Sequence, residues 1–156
     1  MKFRKATSED LEELNRISLK SKRHWGYSEA MIESWRTELT LTKVHLSEQN
    51  VTVMEGSAHI MGFCAVSYSE GRTEIEHLWL LPEHIGKGFG RKLLEKSISE
   101  YIAKDQEIYV TADPNAEAFY QKQGFVTVTY EESVPKGRLL PVMKYASKFT
   151  SKSDIE

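Results

Sequence analysis

The sequence predicts a mixed α/β domain, a run of strands punctuated by helices at irregular intervals. Two observations carry this prediction. Apolar residues recur at helical spacing near the N-terminus and again after Gly90, but the period changes to two from Asn50 onward. Turns containing Gly or Pro bound the period-two runs. Because the helices do not alternate regularly with the strands, a doubly wound parallel sheet is disfavoured.

Phe3-Arg4-Lys5-Ala6 reads as a short first strand. Thr7-Ser8-Glu9-Asp10 offers helix caps, after which Leu11, Leu14, Ile17 and Ser18 follow at helical spacing. A second helical stretch begins near Ser28 and carries Ala30, Met31, Ile32 and Trp35. Val51–Met54 and Ile60–Val66 read as neighbouring strands, turned at Glu55-Gly56-Ser57. Thr73–Leu81 follows the Glu70-Gly71-Arg72 turn and stops at Pro82, which lacks the amide a ladder needs. Gly86–Gly90 opens the strongest helix, with Leu93, Leu94, Ile98, Tyr101 and Ile102 on one face. Ile108–Thr111 is the next strand. Asp113 as N-cap, Pro114 at the first helical position and Gly124 past the end frame a short helix over Asn115–Gln123. Phe125–Tyr130 and Leu139–Tyr145 close the domain as two strands. The reading gives one domain over residues 1–146 and a polar, frayed tail over 147–156.

With 156 residues, one domain is the natural expectation. Lys plus Arg number 21 against 23 Asp plus Glu, so the chain lacks the net basic balance of a dedicated nucleic-acid binder. Cys64 is the only cysteine and cannot form an internal disulfide, which suits a reducing, cytoplasmic compartment. No apolar run is long enough to span a bilayer, and Met1–Arg4 is not followed by a signal-peptide core. The five histidines show no H-x-x-x-H spacing, so no metal is expected. Cys64 lies in an apolar strand and reads as core, not as an acyl-carrying nucleophile.

The most informative segment runs from Leu78 to Leu94: a strand, a glycine-rich turn and a helix N-terminus. Amides at a helix start lack intrahelical partners and lie at the positive end of the dipole, so they can surround a phosphate. Gly86, Gly88 and Gly90 remove Cβ atoms that would keep a pyrophosphate from the backbone, and Lys87 and Arg91 add charge. No Ser or Thr follows Lys87, which disfavours a P-loop. Arg91 stands where the dinucleotide fingerprint needs glycine.

Here the chain resembles the GCN5-related N-acetyltransferases (GNAT), whose coenzyme A loop reads Arg/Gln-x-x-Gly-x-Gly/Ala. Gly88 and Gly90 fall on its two small positions, and Ile85 stands where Arg or Gln is usual. Asp113–Phe125 is similar to the family's later Asn-x-x-Ala-x-x-Phe-Tyr-x-x-x-Gly-Phe region, with Phe119-Tyr120 and Gly124-Phe125 on its closing positions. The resemblance implies a single-domain GNAT-like fold: a mostly antiparallel twisted sheet, splayed at the cofactor site and flanked by about four helices. It implies acetyl transfer from acetyl-CoA to a primary amine by direct attack in a ternary complex. The backbone of Leu78 and Leu80 would bond the pantetheine arm and thioester carbonyl. Gly86, Lys87, Gly88, Phe89, Gly90 and Arg91 would line the pyrophosphate, and Asn115 would anchor the coenzyme from the other side.

Tyr120 matches the family's general acid for the departing thiolate; by spacing alone it reads as a core aromatic beside Phe119. A base is needed because an alkylamine of pKa ~10.4 is only about one part in 2,500 neutral at pH 7. Glu76 and then Glu74 are the candidates. They sit two apart in the strand and are expected on one face, with Leu78 and Leu80 beyond them. His77 is expected on the other face. Trp25 and Tyr27 fall in the acceptor wall that the resemblance implies and offer aromatic faces for an ammonium group, although at least one of them is expected simply to pack the helix junction. Lys20, Lys22 and Arg23 read as a solvated cationic face. The acceptor class stays open between a small amine, an amino-acid or antibiotic-like amine, and a protein N-terminus or lysine; homodimers are frequent in the family. A non-catalytic acyl-CoA-binding or regulatory module is the other reading of the same motifs. Tyr120 and the strand carboxylates favour the enzyme, and Ile85 keeps the module as an alternative.

Overall fold

The computed structural model describes residues 1–146; the expected polar tail, 147–156, lies outside them. Seven strands form one sheet: β1 (Lys2–Lys5), β2 (Asn50–Glu55), β3 (Ile60–Ser69), β4 (Arg72–Leu80), β5 (Glu107–Thr111), β6 (Phe125–Glu132) and β7 (Leu139–Tyr145). Their order is β1-β2-β3-β4-β5-β7-β6, and only the β4–β5 pair is parallel. That pair is joined through the long helix α5 (Phe89–Ala103), as a parallel connection requires. The expectation of a mostly antiparallel mixed sheet is met.

Among the described residues there are six helices rather than about four. Besides α5 they are α1 (Leu11–Arg23), α2 (Glu29–Ser34), α3 (Arg36–Leu39), α4 (Lys43–Glu48) and α6 (Glu117–Lys122). The surplus comes from short pieces. Trp35 alone interrupts α2 and α3, with φ −101° and ψ 2°. Residues 115–123, expected as one helix, divide into a 3-10 turn over Pro114–Ala116 and α6. Asp113 caps this segment as expected, accepting from the Asn115 amide at 2.8 Å.

The sheet is covered on both faces. On one, Leu93, Leu94 and Ile98 of α5 and Tyr120 of α6 pack on Cys64, Val66, Ile75, Val110 and Met143. On the other, Leu14 and Ile17 of α1 pack on Val51, Val53, Phe63 and Ala65, and Ile32, Trp35 and Leu39 extend that layer. Cys64 is fully buried, and burial pushes its thiol up to about 12, so it stays protonated and inert at neutral pH.

β4 carries a bulge. Val66 of β3 faces Ile75 and Ala65 faces His77, leaving Glu76 unopposed. The extra residue shifts the alternation by one, so Ile75 lies on the same face as Leu78 and Leu80. His77 and Trp79 lie on the α1 side, where His77 approaches Phe63 and Trp79 packs with Leu81. This corrects the expectation that Glu74 and Glu76 share a face with Leu78 and Leu80. Strict period-two counting fails at a bulge because one residue has no partner.

The end of β4 is held close to β3 at Gly62. A Cβ there would come within 2.4 Å of the Trp79 carbonyl oxygen and 2.6 Å of Leu80 Cδ2. Gly62→Ala is expected to destabilise the fold by about 1–3 kcal/mol, because backbone must move. A lowered urea midpoint at unchanged m-value would show it; an unchanged midpoint would contradict the close approach.

Candidate active site

The β4–β5 ladder ends at the Ile75–Val110 pair, although β4 runs on to Leu80 and β5 to Thr111. Beyond it the strands part, and a cleft of about 210 Å³ opens between them. Leu78, Leu80, Glu76, Thr111, Asn115, Phe119 and Tyr120 are among its lining residues. The direction of the β4 main chain follows from one bond. Leu81 N–H donates to Met61 O at 2.9 Å, toward β3. Main-chain groups alternate in side along a strand, so those of Leu78 and Leu80 point away from β3, into the cleft.

At the mouth of the cleft the chain enters α5 through the glycine loop. Gly86 and Gly88 have φ of +81° and +84°, and a Cβ on either would meet nothing within 4 Å. Their side-chain-free faces are open, and positive φ is the conformation that glycine adopts without strain. From Gly86 to Arg91, six successive amides have no main-chain partner among the described residues. The three in α5 are helix-terminal donors. Lys87, Arg91 and Lys92 are exposed around them. This cradle fits a doubly charged pyrophosphate, and the open edge of β4 fits an extended arm with amide groups. Ile85 lines the cleft and supplies no donor.

Tyr120 is buried, edge-on to both Phe119 and Phe125, with its residue on the cleft wall. Its hydroxyl has no hydrogen-bond partner among the described residues. Burial and then the neighbouring Cys64 push it well above the ordinary tyrosine range. The hydroxyl therefore keeps its proton and is available only as a neutral hydrogen-bonding group.

The two strand carboxylates part company. Glu76, at the bulge, lines the cleft and accepts from Ser67 Oγ at 2.6 Å. Glu74 does not line it and is tied to Arg72 at 2.7 Å. His77 also lines the cleft, but its Nδ1 accepts from Trp79 Nε1 at 3.1 Å. Burial, and then His45, hold His77 down to about 4, so it is neutral at pH 7 and a weak base.

Trp25 and Tyr27 take different places. Trp25 lines the cleft and is 39% exposed. Tyr27 does not line it. Its ring packs edge-on to Trp35, and its own chain's cations, Lys22 and Arg138, lie 5.2 and 5.4 Å from its centroid. Lys22, expected in a solvated cationic face, is buried. Its ammonium sits 2.6 Å from Asp113 Oδ2 and over the rings of Trp35 and Trp79. Arg138 approaches the same oxygen at 3.3 Å, and the Tyr27 hydroxyl donates to Asp113 at 3.1 Å. The Asn115 side-chain amide donates to Asp113 Oδ1 and to the Tyr27 oxygen, leaving its own oxygen open.

Sequence reasoning saw Asp113 only as a helix cap and did not single out Arg138. Lys22 stands 91 residues before Asp113 and Arg138 stands 25 after it, so no local pattern joins them. The one available signal was Lys22 falling two turns along α1 from the buried Leu14, near the apolar stripe.

Burial alone would raise the Asp113 carboxyl; the Lys22 ammonium overcomes this and holds it below its ordinary 3.8. A depressed carboxyl contributes stability that is present above its unfolded value and lost as pH falls through the folded one. Lys22→Met is therefore expected to cost about 3 kcal/mol at pH 7, with Asp113 left partly uncompensated. The gap from the unsubstituted chain should close below pH ~4. Urea titrations across pH test this, and a gap independent of pH would refute it.

Residues 9–146 match the family model described as an acetyltransferase (GNAT) domain. A spermidine N(1)-acetyltransferase of Thermoplasma acidophilum is 29% identical over 142 residues, covering 80% of this chain and 88% of that protein. Among solved structures, the PaiA N-acetyltransferase of the same organism, in complex with coenzyme A, superposes with a TM-score of 0.73 at 23% identity. That superposition covers 94% of this chain and 98% of the other. A GCN5-related N-acetyltransferase of Rhodopseudomonas palustris gives 0.75 at 19% identity, covering 94% and 95%. The cleft between parted strands, the glycine cradle and these likenesses agree, and the chain belongs to the GNAT acetyltransferase family.

Proposed function

We propose that this N-acetyltransferase moves the acetyl group of acetyl-CoA to a primary alkylamine held against Trp25 and Glu76, with Tyr120 facing the sulfur. The observation that carries the reading is the shared cleft. Leu78 and Leu80, whose main-chain edge is unpaired, line it together with Tyr120 and Glu76. The amides of Gly86–Arg91 would hold the pyrophosphate, with Lys87 and Arg91 adding charge. The Asn115 oxygen would accept from the coenzyme arm, since both amide hydrogens are engaged.

Acetyl-CoA supplies an activated thioester. The main-chain groups of Leu78 and Leu80 orient the arm and offer a donor to the carbonyl oxygen, where charge grows only in the transition state. The Tyr120 hydroxyl meets the sulfur. Even an ordinary tyrosine of pKa ~10 faces a thiol of ~8.5, so complete proton transfer is uphill by about 2 kcal/mol. Burial raises Tyr120 further, so its contribution is a hydrogen bond to developing thiolate rather than a delivered proton.

Glu76 takes the proton from the incoming ammonium, directly or through water, and also attracts the cation. Glu74 is tied to Arg72, and His77 is held neutral with Nδ1 occupied. The acceptor proposed first is a polyamine. The relative named for spermidine supports this choice, as does a cleft whose acceptor side carries a carboxylate and an exposed indole. Tyr27 is assigned to holding the wall together, not to the ammonium. The working compartment proposed is the cytoplasm, where Cys64 stays reduced; among the described residues no helix is long and apolar enough to cross a membrane.

Thiol release from acetyl-CoA, measured over a panel of amines headed by spermidine, tests the reading. Binding of acetyl-CoA without release on any amine would favour a non-catalytic acyl-CoA module. Tyr120→Phe is expected to lower kcat about tenfold or more with little change in KM for acetyl-CoA; unchanged turnover would leave Tyr120 a packing residue. Glu76→Gln should depress kcat/KM most near pH 7 and least above pH ~9, where free amine is more abundant. A uniform loss across pH would remove Glu76 as the base.

A further inference from the structure

Away from the cleft, the fold brings His59, in the turn between β2 and β3, against the Glu83–His84 pair of the 3-10 turn that follows β4. The Nε2 atoms of His59 and His84 are 3.0 Å apart, with ring planes 20° apart and centroids at 5.3 Å. Rings so placed meet nitrogen to nitrogen. One ligand atom from each of His59, Glu83 and His84 falls within 4.8 Å of the others. His59 and Glu83 are exposed and His84 is half-buried.

We infer that His59, Glu83 and His84 form a binding site for a divalent transition-metal ion of the zinc class. Two imidazole nitrogens at 3.0 Å repel unless a proton or a cation lies between their lone pairs. A metal 2.0–2.1 Å from each nitrogen, in tetrahedral geometry, sets them about 3.3 Å apart. The exposed His59 ring needs only a small tilt to reach that spacing. Two imidazoles and one carboxylate suit zinc and its neighbours rather than magnesium or calcium, which prefer oxygen. The exposed side leaves room for water at the fourth position.

The surroundings are balanced in charge. Glu13, Arg16 and Lys20 of α1 face the cluster; Glu13 and Arg16 pair at 2.6 Å, leaving Lys20 as the cation near Glu83. On its other side His84 lies edge-on to Phe89 at 5.9 Å, and Ile85 and Gly86 follow it directly. An ion held here would clamp the entrance of the glycine loop to the β2–β3 turn.

The residues are 25 apart in sequence, which is why no spacing motif announces them. Calorimetric titration of the full chain with zinc chloride tests the site. The expected result is one ion per chain, with affinity lowered about tenfold or more in His59→Ala and in His84→Ala. Glu83→Gln should weaken it less, and His24→Ala should bind as the unsubstituted chain does. Zinc should also raise the Tm of the unsubstituted chain and not that of His59→Ala, while circular dichroism shows both folded. Absence of one-to-one binding, or full affinity in both histidine variants, overturns the site.

Discussion

The constraint on which the rest depends is the early end of one ladder. β4 and β5 are parallel neighbours only as far as Ile75 and Val110. A sheet that stayed paired would satisfy every main-chain group and leave no cleft. By parting, the strands leave the Leu78 and Leu80 main chain in need of partners inside an otherwise apolar wall. Under the proposed function, an extended ligand with its own amides would complete the sheet there, a form of strand addition within the fold. The bulge at Glu76 lies at the point of parting, and the two features serve one geometry. The bulge turns Leu78 and Leu80 onto the α5 face while leaving Glu76 at the cleft.

Asp113 maintains the open side of the wedge. It joins the end of β5 to Lys22 of α1, to Tyr27 of the following loop and to Arg138 of the β6–β7 hairpin. A buried ion pair is a weak source of stability against a hydrophobic substitute, but breaking one partner is costly. Its value here is positional. The same carboxylate caps the turn that leads through Asn115 to Tyr120, so the α1 side of the cleft and α6 share one anchor. Three aromatic rings around Lys22 replace part of the water its ammonium gives up.

Burial also sorts the titratable groups near the cleft. Tyr120 is kept protonated and His77 is kept neutral by the same loss of water, which disfavours whichever form carries charge. Glu76 instead lies exposed at the bulge, where its carboxylate accepts from Ser67 Oγ. Depth in the wall thus sets the charge of Tyr120 and His77 as much as residue type does.

Strand and helix order, the cap at Asp113 and the glycine cradle were legible in the sequence because each is a local pattern. Periodicity, capping and positive φ involve residues within a few positions of one another. The amino-acid sequence by itself determined the mixed sheet, the glycine-rich entry to the long helix and the short helix that carries Tyr120. It misplaced the faces of Glu74 and Glu76 because a bulge is set by how β3 and β4 register, not by either strand alone. It reads Lys22 as a surface cation, and does not say which of Trp25 and Tyr27 packs, because their partners stand far away in the chain. Only the tertiary structure decided which carboxylate reaches the cleft, which aromatic is free and which histidines meet. Those choices rest on contacts between distant segments, where burial and pairing outweigh local preference.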